Sequence, residues 1–280
     1  MDYPEYEAIE LSFDGPVATL ALNKPDEMNT WSAPIAREVT TALARLDADD
    51  SVRVIILTGN GRAFCAGAGL ARDGSTFGGS GAPVNWEDRY PGPAKDADEL
   101  VTPVIAAVNG AAVGYGATLA ASCDIMIIAE DAKFGFVFNR RGIIPDRDLL
   151  WSLPRQIGYA RAIDALLTAR IFSGREVADM GLASRAVPRD QVLSVAHEVA
   201  RDIAENVAPV SAAVTKLLAR ELLGETDATR AGERVHQFFA QLGQMSDARE
   251  GVLAFMEKRP ANWQLSKNAD LPKGLRPRDE

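Results

Sequence analysis

Two short loops concentrate what this 280-residue chain could use for chemistry. The first is Phe64-Cys65-Ala66-Gly67-Ala68-Gly69, and the second is Asn109-Gly110-Ala111-Ala112-Val113-Gly114-Tyr115-Gly116. Their resource is the main chain rather than the side chains. Small residues let backbone N–H groups come close to a ligand, and a turn from strand to helix aims several of them at one point. That arrangement suits an anion or an oxyanion that develops during a reaction. Glycine also lets a strand and a helix pack closely with no ligand at all, but two such loops in successive strand–helix units favour the anion reading.

Other mechanisms fail on particular residues. A dinucleotide fingerprint needs a third small residue three after Gly116, where Leu119 stands. A phosphate-binding P-loop needs Gly-Lys-Ser/Thr, and neither loop has a lysine. The nucleophile-elbow pattern fails because Gly78-Gly79-Ser80-Gly81-Ala82 ends in alanine. His197 and His236 both fall in the C-terminal helical part and read as structural or surface residues, which argues against a Ser-His or Cys-His nucleophile. No zinc-ligand spacing is present, so no metal is expected.

The elements that must position the loops follow from periodicity. Residues 8–13 and 17–22 read as strands joined by a turn at Asp14-Gly15-Pro16. A helix follows over 32–46, with Ser32 able to cap, Pro34 in its first turn and Ile35, Val39, Ala42, Leu43 and Leu46 on one face. The apolar run 52–57 reads as a strand buried on both sides. The Gly-, Ser- and Pro-rich stretch 74–93 reads as a mobile loop or lid. The unit then recurs as strand 104–108, helix 114–122 and strand 125–129. From about residue 147 the pattern is helical, over 149–153, 160–168, 175–180, 191–207, 210–223, 226–245 and 247–258. The tail after Arg259 is polar with little periodicity and reads as an arm or a disordered segment. Strand–helix alternation followed by helices indicates an α/β core with a helical appendage, and apolar helices lacking a core of their own predict an oligomer.

Composition narrows the partners. The formal charge of −9 argues against a nucleic-acid surface and lends no support to an anionic membrane. No segment reads as a signal peptide or a membrane span. Cys65 and Cys123 read as buried thiols rather than a disulfide framework, so a cytoplasmic protein is expected.

The chain resembles the crotonase superfamily, the enoyl-CoA hydratase/isomerase fold. The resemblance rests on Val52-Arg53-Val54-Ile55-Ile56-Leu57-Thr58-Gly59, Arg62-Ala63-Phe64-Cys65-Ala66-Gly67-Ala68 and Pro103-Val104-Ile105-Ala106-Ala107-Val108-Asn109-Gly110. Further matches are Cys123-Asp124-Ile125, Ala132-Lys133-Phe134-Gly135, Leu153-Pro154-Arg155-Gln156-Ile157-Gly158 and Gly181-Leu182-Ala183 followed by Val187. They run in family order over roughly residues 8 to 260. The resemblance implies an α/β spiral of repeated β-β-α units over 1–205, a helical trimerisation region over 206–260 and a polar tail over 261–280. It also implies an acyl-CoA thioester as substrate, with coenzyme A entering as part of the substrate rather than as a cofactor, and assembly as a homotrimer or a dimer of trimers.

By the same resemblance, the backbone N–H groups of Ala68 and Tyr115 are the two oxyanion donors, with the helix that starts near Gly114 pointing its positive end at the thioester oxygen. The Ala66 carbonyl, next to Gly67, would meet the adenine of coenzyme A. Lys24 and Met28 would lie near its pantetheine and nucleotide, and Lys258 of a neighbouring subunit would reach a phosphate. Family hydratases place two glutamates where this chain has Thr118 and Phe138. A threonine hydroxyl lacks useful basicity near neutral pH and phenylalanine has none, so standard hydration is disfavoured. Asp146, after Gly142-Ile143-Ile144-Pro145, is the substitute acid–base group; its alternative is to cap the helix over 149–153 or to pair with a nearby arginine. Isomerisation or a related enolate reaction is favoured. The alternatives are a C–C bond or thioester hydrolase, or a crotonase-fold protein that binds acyl-CoA without chemistry. Phe136, Val137 and Phe138, with Trp151, would line an apolar acyl pocket or simply pack in the core.

Overall fold

The computed structural model describes residues 3–70, 72–73, 76–77, 95–145 and 148–275. The strands in chain order are β1 (Ile9–Asp14), β2 (Val17–Leu22), β3 (Val54–Gly59), β4 (Ala63–Cys65), β5 (Val104–Val108), β6 (Ala111–Val113), β7 (Ile125–Ala129), β8 (Lys133–Gly135), β9 (Phe172–Ser173) and β10 (Arg185–Val187). Five longer strands and the short β10 form a six-stranded sheet in the order β1-β2-β3-β5-β7-β10. Its first pair is the expected antiparallel hairpin, and the remaining neighbours run parallel. β3 and β5 are buried along their whole length, as their unbroken apolar runs require.

The helices are α1 (Ala33–Ala48), α2 (Tyr115–Ala121), α3 (Leu149–Ile157), α4 (Tyr159–Thr168), α5 (Gly174–Asp179), α6 (Val192–Asn206), α7 (Pro209–Leu222), α8 (Ala228–Gly243) and α9 (Ser246–Glu257). Each lies within a few residues of its sequence expectation. α1 buries Ile35, Val39, Leu43 and Leu46 beside the sheet, and α6 covers the sheet with Val192, Ala196, Ala200 and Ala204, one alanine per turn after the first. His197 on that helix lies with Nε2 3.4 Å from the Thr19 hydroxyl of β2, the structural role expected of it. No helix among the described residues is long and apolar enough to cross a membrane.

A second sheet, in the order β4-β6-β8-β9, did not announce itself in the sequence. Its strands have only two or three residues, too few to show a period. Its importance is positional, because β4 begins the first glycine loop and β6 lies within the second.

Two expectations about the C-terminal part need correcting. α7, α8 and the tail share a small apolar cluster of their own, made by Val210, Val214, Leu218, Phe238 and Leu275. The tail to Leu275 is therefore held on the body rather than standing free. Its polar side chains cap the C-terminal end of α1: the Lys267 ammonium and the Asn268 amide both donate to the Asp47 carbonyl, the latter at 3.0 Å. Ser266 donates to Asp50 at 2.6 Å. Polarity that reads as disorder is here the donor set that the last turn of a helix needs. The lid expected over 74–93 lies outside the described residues, apart from Thr76 and Phe77.

Asp47 anchors this end of α1. Its buried carboxylate accepts from the Val101 and Thr102 N–H groups, the Thr102 hydroxyl and the Lys95 ammonium, at 3.0, 2.9, 2.8 and 2.6 Å. Burial alone would raise its pKa, but Lys95 and the Thr102 donors outweigh it and hold the carboxyl below its ordinary value. A depressed carboxyl stabilises the fold above the unfolded-state value of about 3.9 and loses that contribution as pH falls towards the folded value. Asp47→Ala, which strands several donors, is expected to cost about 3 kcal/mol in urea denaturation at neutral pH and to flatten the acid limb of the stability curve.

Candidate active site

The two loops meet because the short sheet joins them. β4 pairs in parallel with β6, placing Ala63 opposite Ala111 and Cys65 opposite Ala112, and β6 pairs with β8. Beyond the paired residues the chains stay in close contact. Gly67 has φ +91°, and a Cβ there would lie 2.6 Å from the Val113 carbonyl oxygen. A Cβ on Gly116 would lie 2.1 Å from the Cys65 carbonyl oxygen, well inside any real contact. The first loop therefore lies against the start of α2 through glycine at both crossing points.

Ala68 follows Gly67 directly, and Tyr115 lies between Val113 and Gly116. The Ala68 N–H donates to no acceptor among the described residues. Tyr115 is the first residue of α2, where N–H groups point out of the helix end instead of into its ladder. Main-chain N–H groups are the donor type suited to an oxygen that carries developing negative charge. Cys65 contributes no nucleophile: burial pushes its thiol up to about 11, opposed only in part by the Gly67 and Trp31 N–H groups that face the sulfur.

The other expected residues divide. Gly114 precedes α2, and Thr118 is one turn on, with its hydroxyl 3.5 Å from the Gly114 carbonyl. Thr118 is buried. The short 3-10 turn Val137–Arg141 closes on the same place, since a Cβ on Gly114 would come 3.9 Å from Val137 Cγ2. Phe138 in that turn is buried in the core. The positions Thr118 and Phe138 are thus brought to one neighbourhood around Gly114, and both are uncharged.

On the other side, the Ala66 N–H donates to the Met28 carbonyl at 3.1 Å. Lys24 opens the 3-10 turn Pro25–Glu27 of the same segment, so Lys24, Met28, Ala66 and Gly67 form one continuous wall. Lys258 is not brought to it within this chain; it ends α9 as an exposed residue with φ 53°. Asp146 lies outside the described residues. The N-cap residue of α3 is Asp148, whose carboxylate pairs with Arg220 at 2.8 Å. Phe136 packs edge-on to Phe134 in the core, whereas Trp151 is partly exposed beneath the Arg155 guanidinium.

Sequence reading missed two residues that organise this wall. Asn29 is fully buried with φ 51°; its side-chain amide donates to the Asn60 and Ala63 carbonyls at 2.9 and 2.8 Å, and its Oδ1 accepts from the Lys24 N–H at 2.9 Å. Trp31 forms a parallel bridge with Ala68, and its ring stacks on Tyr115. The only advance signal was the turn-forming Pro25-Asp26-Glu27 that precedes them.

Known proteins of related sequence share this framework. The Enoyl-CoA hydratase/isomerase family model matches residues 12–266. A Rhodobacter capsulatus protein named a probable enoyl-CoA hydratase is 39% identical over 258 residues, which is 92% of this chain and 98% of the relative. The 1,2-epoxyphenylacetyl-CoA isomerase of Escherichia coli is 34% identical over 246 residues, 87% of this chain and 93% of the relative. Among solved structures, a probable enoyl-CoA hydratase/isomerase from Mycobacterium abscessus has a TM-score of 0.83 at 38% identity, covering 91% of this chain and 98% of that one.

The close crossing makes a direct prediction. Gly116→Ala is expected to force the loops apart and to lower unfolding free energy by about 1–3 kcal/mol, measured by chemical denaturation. An unchanged midpoint would show that the crossing has slack.

Proposed function

The chain belongs to the enoyl-CoA hydratase/isomerase family and is an acyl-CoA enzyme of hydratase/isomerase type, and we propose that it moves a double bond within its acyl group. What supports this reading is the β4–β6 pairing, which brings the two glycine loops together, with uncharged Thr118 and Phe138 at the positions expected to carry glutamates in a hydratase. In the proposed reaction a base removes a proton next to the thioester or at the far end of the unsaturation. The electron pair moves onto the thioester oxygen, where the two N–H groups receive it. The same acid–base group then returns the proton to the other carbon, so one carboxyl serves both halves. Each N–H donor is worth about 3 kcal/mol to such a transition state.

Hydration asks for more, because a water must be deprotonated and placed while the α-carbon gains a proton. Thr118 cannot act as a base near neutral pH, and Phe138 offers no polar atom. Asp146 is proposed as the proton carrier. Lys24, Met28, Ala66 and Gly67 are proposed to line the coenzyme A side, with Lys258 of a neighbouring copy completing it. Assembly into a homotrimer or a dimer of trimers is supported by the apolar residues exposed on α8 and α9, among them Phe239, Val252, Phe255 and Met256, with Phe255 82% exposed. Sedimentation equilibrium is expected to give a mass of three or six chains, and a monomer would contradict this assembly.

The decisive assay incubates the protein with enoyl-, ketoacyl- and diketoacyl-CoA thioesters in heavy water and reads the products by mass spectrometry. An enoyl thioester is expected to gain deuterium without gaining water. Asp146→Asn is expected to slow that exchange by about 10²–10⁴-fold while acyl-CoA binding persists. Intact turnover in this variant, or rapid hydration of crotonyl-CoA by the unmodified protein, would contradict the mechanism. Saturable binding with no product would instead mark an acyl-CoA binder, and chain cleavage a hydrolase.

A further inference from the structure

Trp31 touches both donor loops, each through a different part of the residue. Its N–H donates to the Gly67 carbonyl at 2.7 Å, and its indole stacks on the Tyr115 ring with centroids 4.3 Å apart and planes 29° from parallel. The Gly67 carbonyl and the Ala68 N–H belong to one planar peptide unit and point in opposite directions. The Trp31 hydrogen bond therefore sets the direction in which the Ala68 N–H points. The stack holds the first residue of α2, which carries the second donor. We propose that Trp31 is a positioning residue that fixes the distance and angle between the Ala68 and Tyr115 N–H groups.

Trp31 is itself rigidly placed. The preceding residues Met28 and Asn29 both have positive φ, at 57° and 51°, and Asn29 is locked by its buried amide. Met28 receives the Ala66 N–H, so the segment is bonded to the first loop on both sides of this turn. Trp31 and Tyr115 are each half-buried, leaving their stack at the edge of the site rather than in the core. The pair packs against the rim of the main apolar cluster, whose large members are fully buried elsewhere. Its effect falls on the donors. Two N–H groups must converge on a single oxygen, and a displacement of about 1 Å can cost about 10²-fold in rate.

The inference rests on the proposed donor pair, and its test does not need turnover. A conjugated dienoyl-CoA, such as 2,4-hexadienoyl-CoA, absorbs at longer wavelength when hydrogen bonds polarise its thioester carbonyl. The unmodified protein is expected to red-shift the bound probe. Trp31→Ala and Trp31→Leu, which keep the backbone N–H on the Gly67 carbonyl and remove only the ring that stacks on Tyr115, are expected to lose about half of that shift, the part owed to the Tyr115 donor, while probe affinity stays within about threefold, and Trp31→Phe to restore it. Tyr115→Leu, which keeps the backbone donor and removes the ring, is expected to match Trp31→Leu, and the double variant to be no worse than either single one. In the exchange assay the same variants should lower kcat with little change in KM. A full red shift in Trp31→Leu, additive effects in the double variant, or equal losses in affinity and shift would overturn the proposal. If the unmodified protein shifts the probe but exchanges no deuterium, the isomerase reading fails and the role of Trp31 stands. If it shows no shift, the donor pair itself fails.

Discussion

The contact on which the site depends is a pair of backbone crossings, Gly67 against Val113 and Gly116 against Cys65. Main-chain donors cannot be aimed by rotating a side chain. They can be aimed only by fixing whole segments of chain, and the distance between two segments is limited by whatever atoms lie between them. Glycine at both crossings removes that limit. The short parallel pairing of β4 with β6 sets the register, so that Ala68 and Tyr115 fall at corresponding places beyond it. The large sheet and α6 then act as the platform that keeps β3 and β5, and hence both loops, in one plane.

Around this centre, buried polar groups serve the scaffold. The buried carboxylate of Asp47 and the amide of Asn29 each satisfy several backbone groups and tie together segments distant in sequence. Thr118 is buried with its hydroxyl 3.5 Å from the Gly114 carbonyl, and Phe138 joins the apolar core.

Much of this was legible in the residues, and the rest was hidden for definite reasons. The runs 52–57 and 104–108, and the apolar face of 32–46, carry enough residues for a period to show, and their elements appear where expected. The glycine loops marked the candidate site because Gly and Ala have a local meaning. The second sheet has strands too short for any pattern, so the contact between the loops could not be read in advance. Apart from the Asn29 bond to Lys24, Trp31 and Asn29 act through partners 31 to 84 positions away, and no local signal encodes such a partnership. The tail misled in the opposite direction, since Ser266, Lys267 and Asn268 are polar in order to cap a distant helix.

The most direct test of the account is a structure of the protein with a slowly reacting acyl-CoA bound, measuring the distances from the thioester oxygen to two backbone nitrogens. The oxygen is expected to lie about 2.7–3.1 Å from both the Ala68 and Tyr115 nitrogens. A thioester oxygen that contacts neither nitrogen, or only one while the other donates elsewhere, would contradict it.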